Sequence, residues 1–285
     1  MKESADVILP GGCWIDGACF RDARIRPLEG NDEAFLYEIG DGLLPAQWTT
    51  AILTRCLEGI GPLERIDEDL VRSISTGDRE ALLIHLRRLT FGDRMDCTIL
   101  CPAPACGETM ELELYASSLL LPPYPDDLMY HEKVFEDGGQ PVRVRFRLPT
   151  GSDQEAAAGL ALADEEAAAD LLLRRCISEI RDGAGRDVDG IPPKLAAQVS
   201  GAMADLDPQS ELRLDLICPF CKGCSSVVFD TAAYFSRELE RKVEQIYTEV
   251  HTIASHYHWS ESEILGLSAG RRRRYLDLID EDTER

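Results

Sequence analysis

The chain repeats itself. It reads Trp14-Ile15-Asp16-Gly17 and then Arg24-Ile25-Arg26-Pro27-Leu28-Glu29-Gly30-Asn31-Asp32; 121 residues later it reads Phe135-Glu136-Asp137-Gly138 and then Arg145-Phe146-Arg147-Leu148-Pro149-Thr150-Gly151-Ser152-Asp153. Six positions match without a gap: Asp16 with Asp137, Gly17 with Gly138, Arg24 with Arg145, Arg26 with Arg147, Gly30 with Gly151 and Asp32 with Asp153. Ordinary composition gives about one match over such a window. The echo continues from Ile52–Leu57 to Leu172–Ile177, and from Met95–Pro102 to Leu212–Pro219. The alternative is chance similarity between amphipathic stretches, but the matches fall in one order and end on the same cysteine turn.

A duplication constrains the fold because both copies must share one plan. The Asp-Gly pairs between β-type runs suggest hairpins. Helical periodicity predicts helices at 32–39, 45–58, 68–75 and 78–89 in the first copy, and at 153–163, 165–182 and 193–206 in the second. Leu82, Leu83, Leu86 and Leu89 lie on one stripe opposite Arg79, Arg87 and Arg88, the pattern of a half-buried helix. Alternating runs at 95–100, 111–115, 212–217 and 227–230 predict strands flanking the cysteine turns. The expected fold is α+β, with 1–128 as first copy, 129–230 as second and 231–285 as a C-terminal helical arm. The Pro-rich stretch Leu121-Pro122-Pro123-Tyr124-Pro125 reads as an extended linker.

The cysteines carry the candidate chemistry. Cys101-Pro102-Ala103-Pro104-Ala105-Cys106-Gly107 and Cys218-Pro219-Phe220-Cys221-Lys222-Gly223-Cys224 are tight turns at matching places in the two copies. Each is read as a knuckle whose backbone N–H groups face its sulfurs. Two facing knuckles give Cys101, Cys106, Cys218 and Cys221 as a closed tetrahedral site for a structural Zn²⁺. The alternatives are reduced, buried cysteines or a disulfide in each turn. Cys224 could replace Cys221 as a ligand but is expected to be a bystander. Cys13, Cys19, Cys56, Cys97 and Cys176 are read as packing residues.

Composition narrows the partners. The chain of 285 residues carries 30 Lys+Arg against 52 Asp+Glu, a formal net charge of −22. That balance opposes nucleic acid, whose phosphates need Lys and Arg, and anionic membrane. No apolar run approaches the length of a membrane span, and the charged start has no signal-peptide character, so a cytoplasmic location is expected. Arg271–Arg274 is the one basic run, read as a solvated helix face or a dock for an acidic partner helix. His251, His256 and His258 are read as helix-end residues. There is no His-Glu-x-x-His, no His-x-Glu and no Gly-rich phosphate loop, so no enzyme is expected.

The segment Thr76-Gly77-Asp78-Arg79-Glu80-Ala81-Leu82-Leu83-Ile84-His85-Leu86-Arg87-Arg88-Leu89-Thr90-Phe91-Gly92-Asp93, running into the Cys101/Cys106 turn, resembles the baseplate hub assembly chaperones of T-even-type phages, with relatives in contractile injection systems and tailocins. The resemblance is best over 64–115 and extends to Leu148–Glu155 and the second knuckle; the tail from Ile253 is similar to short helical segments of tail assembly proteins. The Cys-x4-Cys spacing departs from the commoner short knuckle. The resemblance implies a non-enzymatic part in building a baseplate, with baseplate, hub or tube proteins as partners and incorporation into a tail-like particle left open. It implies no active-site residues. The competing function is a zinc-ribbon adaptor or regulatory protein unrelated to tails; a metal-assisted hydrolase is a third reading.

Overall fold

β1 (Ala5–Ile15) and β2 (Ala18–Ile25) pair antiparallel around Asp16-Gly17, whose φ angles are both positive at 49° and 83°. Such a turn matches the right-handed twist of the strands, and Asp-Gly adopts it readily. β6 (His131–Asp137) and β7 (Gln140–Phe146) form the second hairpin. Its turn is Gly138-Gly139 rather than the expected Asp137-Gly138, since Asp137 pairs with Gln140 as the last strand residue. Two adjacent glycines take both left-handed positions without a Cβ clash. The computed structural model describes residues 4–39, 42–188 and 190–283.

After each hairpin come two helices and a strand. The first set is α1 (Gly30–Ile39), α2 (Pro45–Cys56) and β3 (Leu57–Ile60). The second set, residues 151–182, is α5 (Gly151–Ala161), α6 (Glu165–Cys176) and β8 (Ile177–Asp182). Helical periodicity runs through 58 and 182, but both helices stop earlier and pass straight into strand. Leu57 and Ile177 turn extended (ψ 131° and 123°) while their N–H groups still reach Leu53 O and Leu173 O. Pairing with Ile25 and Phe146 then draws each chain into a sheet, ordered β1-β2-β3 and β6-β7-β8. Tertiary pairing overrides local helical periodicity here.

The identities between the halves fall on one network that occurs twice. Arg26 pairs with Asp32 at 2.6 Å, Arg55 with Asp32 at 2.9 Å, and Arg26 donates to Arg55 O. Arg147 pairs with Asp153 at 2.5 Å, Arg175 with Asp153 at 2.7 Å, and Arg147 donates to Arg175 O. Each aspartate also accepts the backbone N–H three residues before it, at 2.9 Å. The carboxylate thus closes a helix start and holds the hairpin to the end of the second helix.

Between the halves lie α3 (Glu68–Ser73) and α4 (Thr76–Phe91). α4 is buried on both flanks: Leu82 and Leu86 join the first core, and Ile84 a second cluster behind the cysteine hairpins. Its arginine side is not solvated as expected. Arg79 is 2% exposed and donates to Val71 O, Ala46 O and Thr50 Oγ1; Arg87, 3% exposed, holds Glu238 through two bonds of 2.7 and 2.8 Å. Buried guanidinium groups are tolerated when their donors meet acceptors, as those of Arg87 do; Arg79 leaves its Nε buried without one.

The Pro-rich connector is extended but pinned to both halves. Tyr124 N donates to Pro10 O, and its hydroxyl donates to Asp207 at 2.6 Å. Asp207 also accepts the Gly77 N–H at the start of α4, and burial pushes its carboxyl up to about 6. α7 (Pro193–Leu206) covers the second sheet, with Leu195 and Val199 packed on Val144 and Phe146. α8 (Thr231–Tyr257) inserts Phe235 and Leu239 into the first core, and α9 (Glu261–Leu265) and α10 (Ala269–Thr283) fold back on it. No helix among the described residues is long and apolar enough to cross a membrane.

Candidate metal centre

Two short hairpins carry the cysteine turns. β4 (Arg94–Leu100) pairs with β5 (Thr109–Tyr115), and β9 (Arg213–Ile217) with β10 (Cys224–Val228), the last strand starting three residues before the expected 227. Strand alternation turns Met95, Cys97, Leu112 and Leu114 toward Leu212, Leu214 and Phe229, while Asp96, Thr98 and Glu113 face outward. A two-stranded hairpin alone is marginal in water, so the facing apolar sides hold the pair together.

Each first cysteine sits one residue beyond its strand. Cys101 N donates to Glu108 O at 2.9 Å and Cys218 N to Gly223 O at 3.0 Å, which closes both turns. The residue after each second cysteine is left-handed: Gly107 at φ 62° and Lys222 at φ 60°. Gly107 takes this conformation freely, whereas Lys222 carries a Cβ into it.

The turns meet tip to tip. Cys101 Sγ lies 3.8 Å from Cys221 Sγ, and Cys106 Sγ 3.8 Å from Cys218 Sγ; all four sulfurs lie within 4.8 Å of one another. A tetrahedral ion with bonds of about 2.3 Å to sulfur needs sulfurs about 3.8 Å apart, so the donor set fits a four-coordinate, thiolate-preferring metal. Cys101 and Cys218 are buried, Cys106 is half-buried and Cys221 is exposed. Cys218 is brought down to about 7, first by the Cys221 N–H and also by that of Phe220. The Ala103 N–H lowers Cys101, but desolvation and three neighbouring thiols push it up to about 12. A cation among the sulfurs relieves that competition by letting the thiols deprotonate.

All four expected ligands are brought together, and among the described residues they form the one such group of His, Cys, Asp or Glu. Cys13, Cys56, Cys97 and Cys176 are buried, Cys19 is half-buried, and none of the ten is disulfide-bonded. Cys224 lies outside the cluster, in β10 opposite Ile217. His258 is the left-handed cap of α8, and His256 packs on Tyr257. Arg272, from the basic run, is 2% exposed and paired with Glu33 and Glu249, so its acidic partner helices belong to this chain. Sequence periodicity could not show that; a lone buried arginine has no local signature. One catalytic spelling does occur, Gly266-Leu267-Ser268-Ala269-Gly270. A nucleophile elbow needs a strand running into the serine. Ser268 follows a helix instead, and its backbone bridges Glu29.

The model of a family described as T4 bacteriophage base plate protein matches residues 44–235, about two thirds of the chain. No curated protein and no solved structure matches it. The matched span runs from α2 to the start of α8 and includes α4 and both cysteine turns. By that match, the chain belongs to the T4 bacteriophage base plate protein family.

Proposed function

We propose that the protein is a non-enzymatic structural or assembly component of a contractile-system baseplate, with hub assembly chaperone as its specific role, and that it works through contacts with baseplate, hub or tube proteins. The observation that carries this is the family match across both cysteine turns and the helix between the halves. The sequence likeness over 64–115 supports the chaperone role. The negative charge of −22 favours protein partners over nucleic acid. The expected setting is cytoplasmic assembly, with or without retention in the particle.

In this reading Cys101, Cys106, Cys218 and Cys221 hold one structural Zn²⁺. The ion would neutralise the thiolates and tie the two hairpins. Apparent binding energies of such sites reach about 10 kcal/mol, comparable to the stability of a domain. Residues 1–128 and 129–230 are two copies of one unit and 231–285 a C-terminal helical region. The repeated Arg26/Asp32/Arg55 and Arg147/Asp153/Arg175 networks support the duplication.

The test is capture during assembly. A tagged chain, co-expressed with sheath, tube, hub and spike genes of its own genome, should retain a hub or tube protein through purification, with mass spectrometry to identify it. Absence of every baseplate protein from the purified complex contradicts the proposal.

A further inference from the structure

The C-terminal segment copies a segment in the middle of the chain. Glu68-Asp69-Leu70-Val71-Arg72-Ser73-Ile74-Ser75-Thr76-Gly77-Asp78-Arg79 aligns with Glu261-Ser262-Glu263-Ile264-Leu265-Gly266-Leu267-Ser268-Ala269-Gly270-Arg271-Arg272. Glu68, Ser75, Gly77 and Arg79 recur as Glu261, Ser268, Gly270 and Arg272. Each segment is a short helix with a side-chain N-cap (Asp67, Ser260), an apolar-Ser step whose serine makes an isolated β-bridge, and a longer helix. The offset differs from that of the duplication, so this is a separate repeat.

Both segments dock on the same feature, crosswise. Ser75 bridges Thr150 and Ser268 bridges Glu29, the residues just before α5 and α1. The first N–H of each of those helices has no partner within its helix. Gly151 N donates to Ile74 O and Gly30 N to Leu267 O, both at 3.1 Å. The segment's arginine then lies against the glycine. A Cβ on Gly30 would stand 2.9 Å from Arg272 Nη1, and one on Gly151 would collide with the Arg79 guanidinium. That explains why glycine stands at both positions, since neither has a positive φ. Arg272 is further held by Glu33 at 2.6 Å and Glu249 at 2.8 Å.

We infer that the Gly30 and Gly151 junctions are two instances of one docking site, whose ligand is an apolar-Ser-x-Gly-x-Arg segment, and that residues 260–283 are the tethered occupant of the first. The middle segment fills the second junction, and the C-terminal segment supplies the counterpart that the first would otherwise lack. The chain is strapped shut by one recognition mode used twice. This does not depend on the baseplate reading.

The test uses the whole chain with a protease site inserted between Trp259 and Ser260. After cleavage the fragment should stay associated on gel filtration. Brief exposure to urea and dilution with excess fluorescent peptide 260–283 should load the labelled peptide. Unlabelled peptide 67–91, the middle segment, should displace it, whereas an Arg272→Ala version of 260–283 should compete at least about tenfold more weakly, the scale set by losing a charged hydrogen-bonded contact. Gly30→Ala in the body should reduce capture of both peptides, with circular dichroism confirming that the body is folded. Failure of 67–91 to compete, or equal competition by the Arg272→Ala peptide, overturns the inference.

Discussion

The sulfurs of Cys101 and Cys221 lie 3.8 Å apart although 120 residues separate them in the chain. Cys106 and Cys218 repeat the relationship. Each turn therefore gives both of its sulfurs to the other, and neither hairpin holds a metal site alone. Long-range closure of this kind constrains the unfolded chain most strongly when an ion completes it.

Removing the proposed ion should loosen the hairpin pair before the rest of the molecule. Chelation at neutral pH is expected to lower Tm by more than about 10 °C. Calorimetry with and without chelator checks this, and unchanged melting would mean that the turns pack adequately as thiols.

The two aspartates should behave alike. Asp32 and Asp153 are 1% and 0% exposed, and each is held by two arginines. Asn at either position leaves guanidinium groups short of their counter-charge, at a cost of about 3 kcal/mol. Burial raises the carboxyl of Asp153, but the arginines and the Thr150 N–H overcome this and hold it well below the usual range. Its stabilisation is therefore present above pH 4 and lost as the solution is acidified below it. Urea denaturation of Asp32→Asn and Asp153→Asn should give similar losses; a cost at one site alone would break the equivalence.

Asp207 works in the other direction. Burial raises it to about 6, so its contribution is fully present below about pH 4 and is lost as pH rises through 6. Asp207→Asn should raise Tm relative to the parent more at pH 8 than at pH 5. The opposite ordering of the two differences would contradict this assignment.

Lys222 holds a backbone conformation that glycine takes freely, and Gly107 already occupies the matching place. Lys222→Gly should stabilise the protein, offsetting about 1 kcal/mol of strain. Guanidinium titration of the two proteins measures it, and a destabilised variant would show that the Lys222 side chain contributes more than its backbone costs.

Much of the fold was legible because local chemistry decided it. Asp16-Gly17 marks its hairpin and the Cys-Pro turns mark the knuckles, whereas Ser75, read as the end of a helix, is instead the cap that starts the next one. What periodicity could not reveal was set at long range. Helix α2 yields to strand at Leu57 because Ile25 is there to pair with it, and α6 yields at Ile177 because of Phe146. Arg79, Arg87 and Arg272 look like surface charges in sequence, yet each is buried against acceptors from distant segments. The four cysteines were legible as a set since both Cys-Pro turns follow the same run of recurring residues, and their sulfurs do come together.

The most direct test is the zinc content of the protein purified without added metal, by plasma mass spectrometry, beside the Cys218→Ser, Cys221→Ser double variant. About one zinc per chain is expected in the parent and almost none in the variant, the stoichiometry of a single four-thiolate site. Zinc retained at the parent level in the variant, or a folded parent with no zinc, would contradict it.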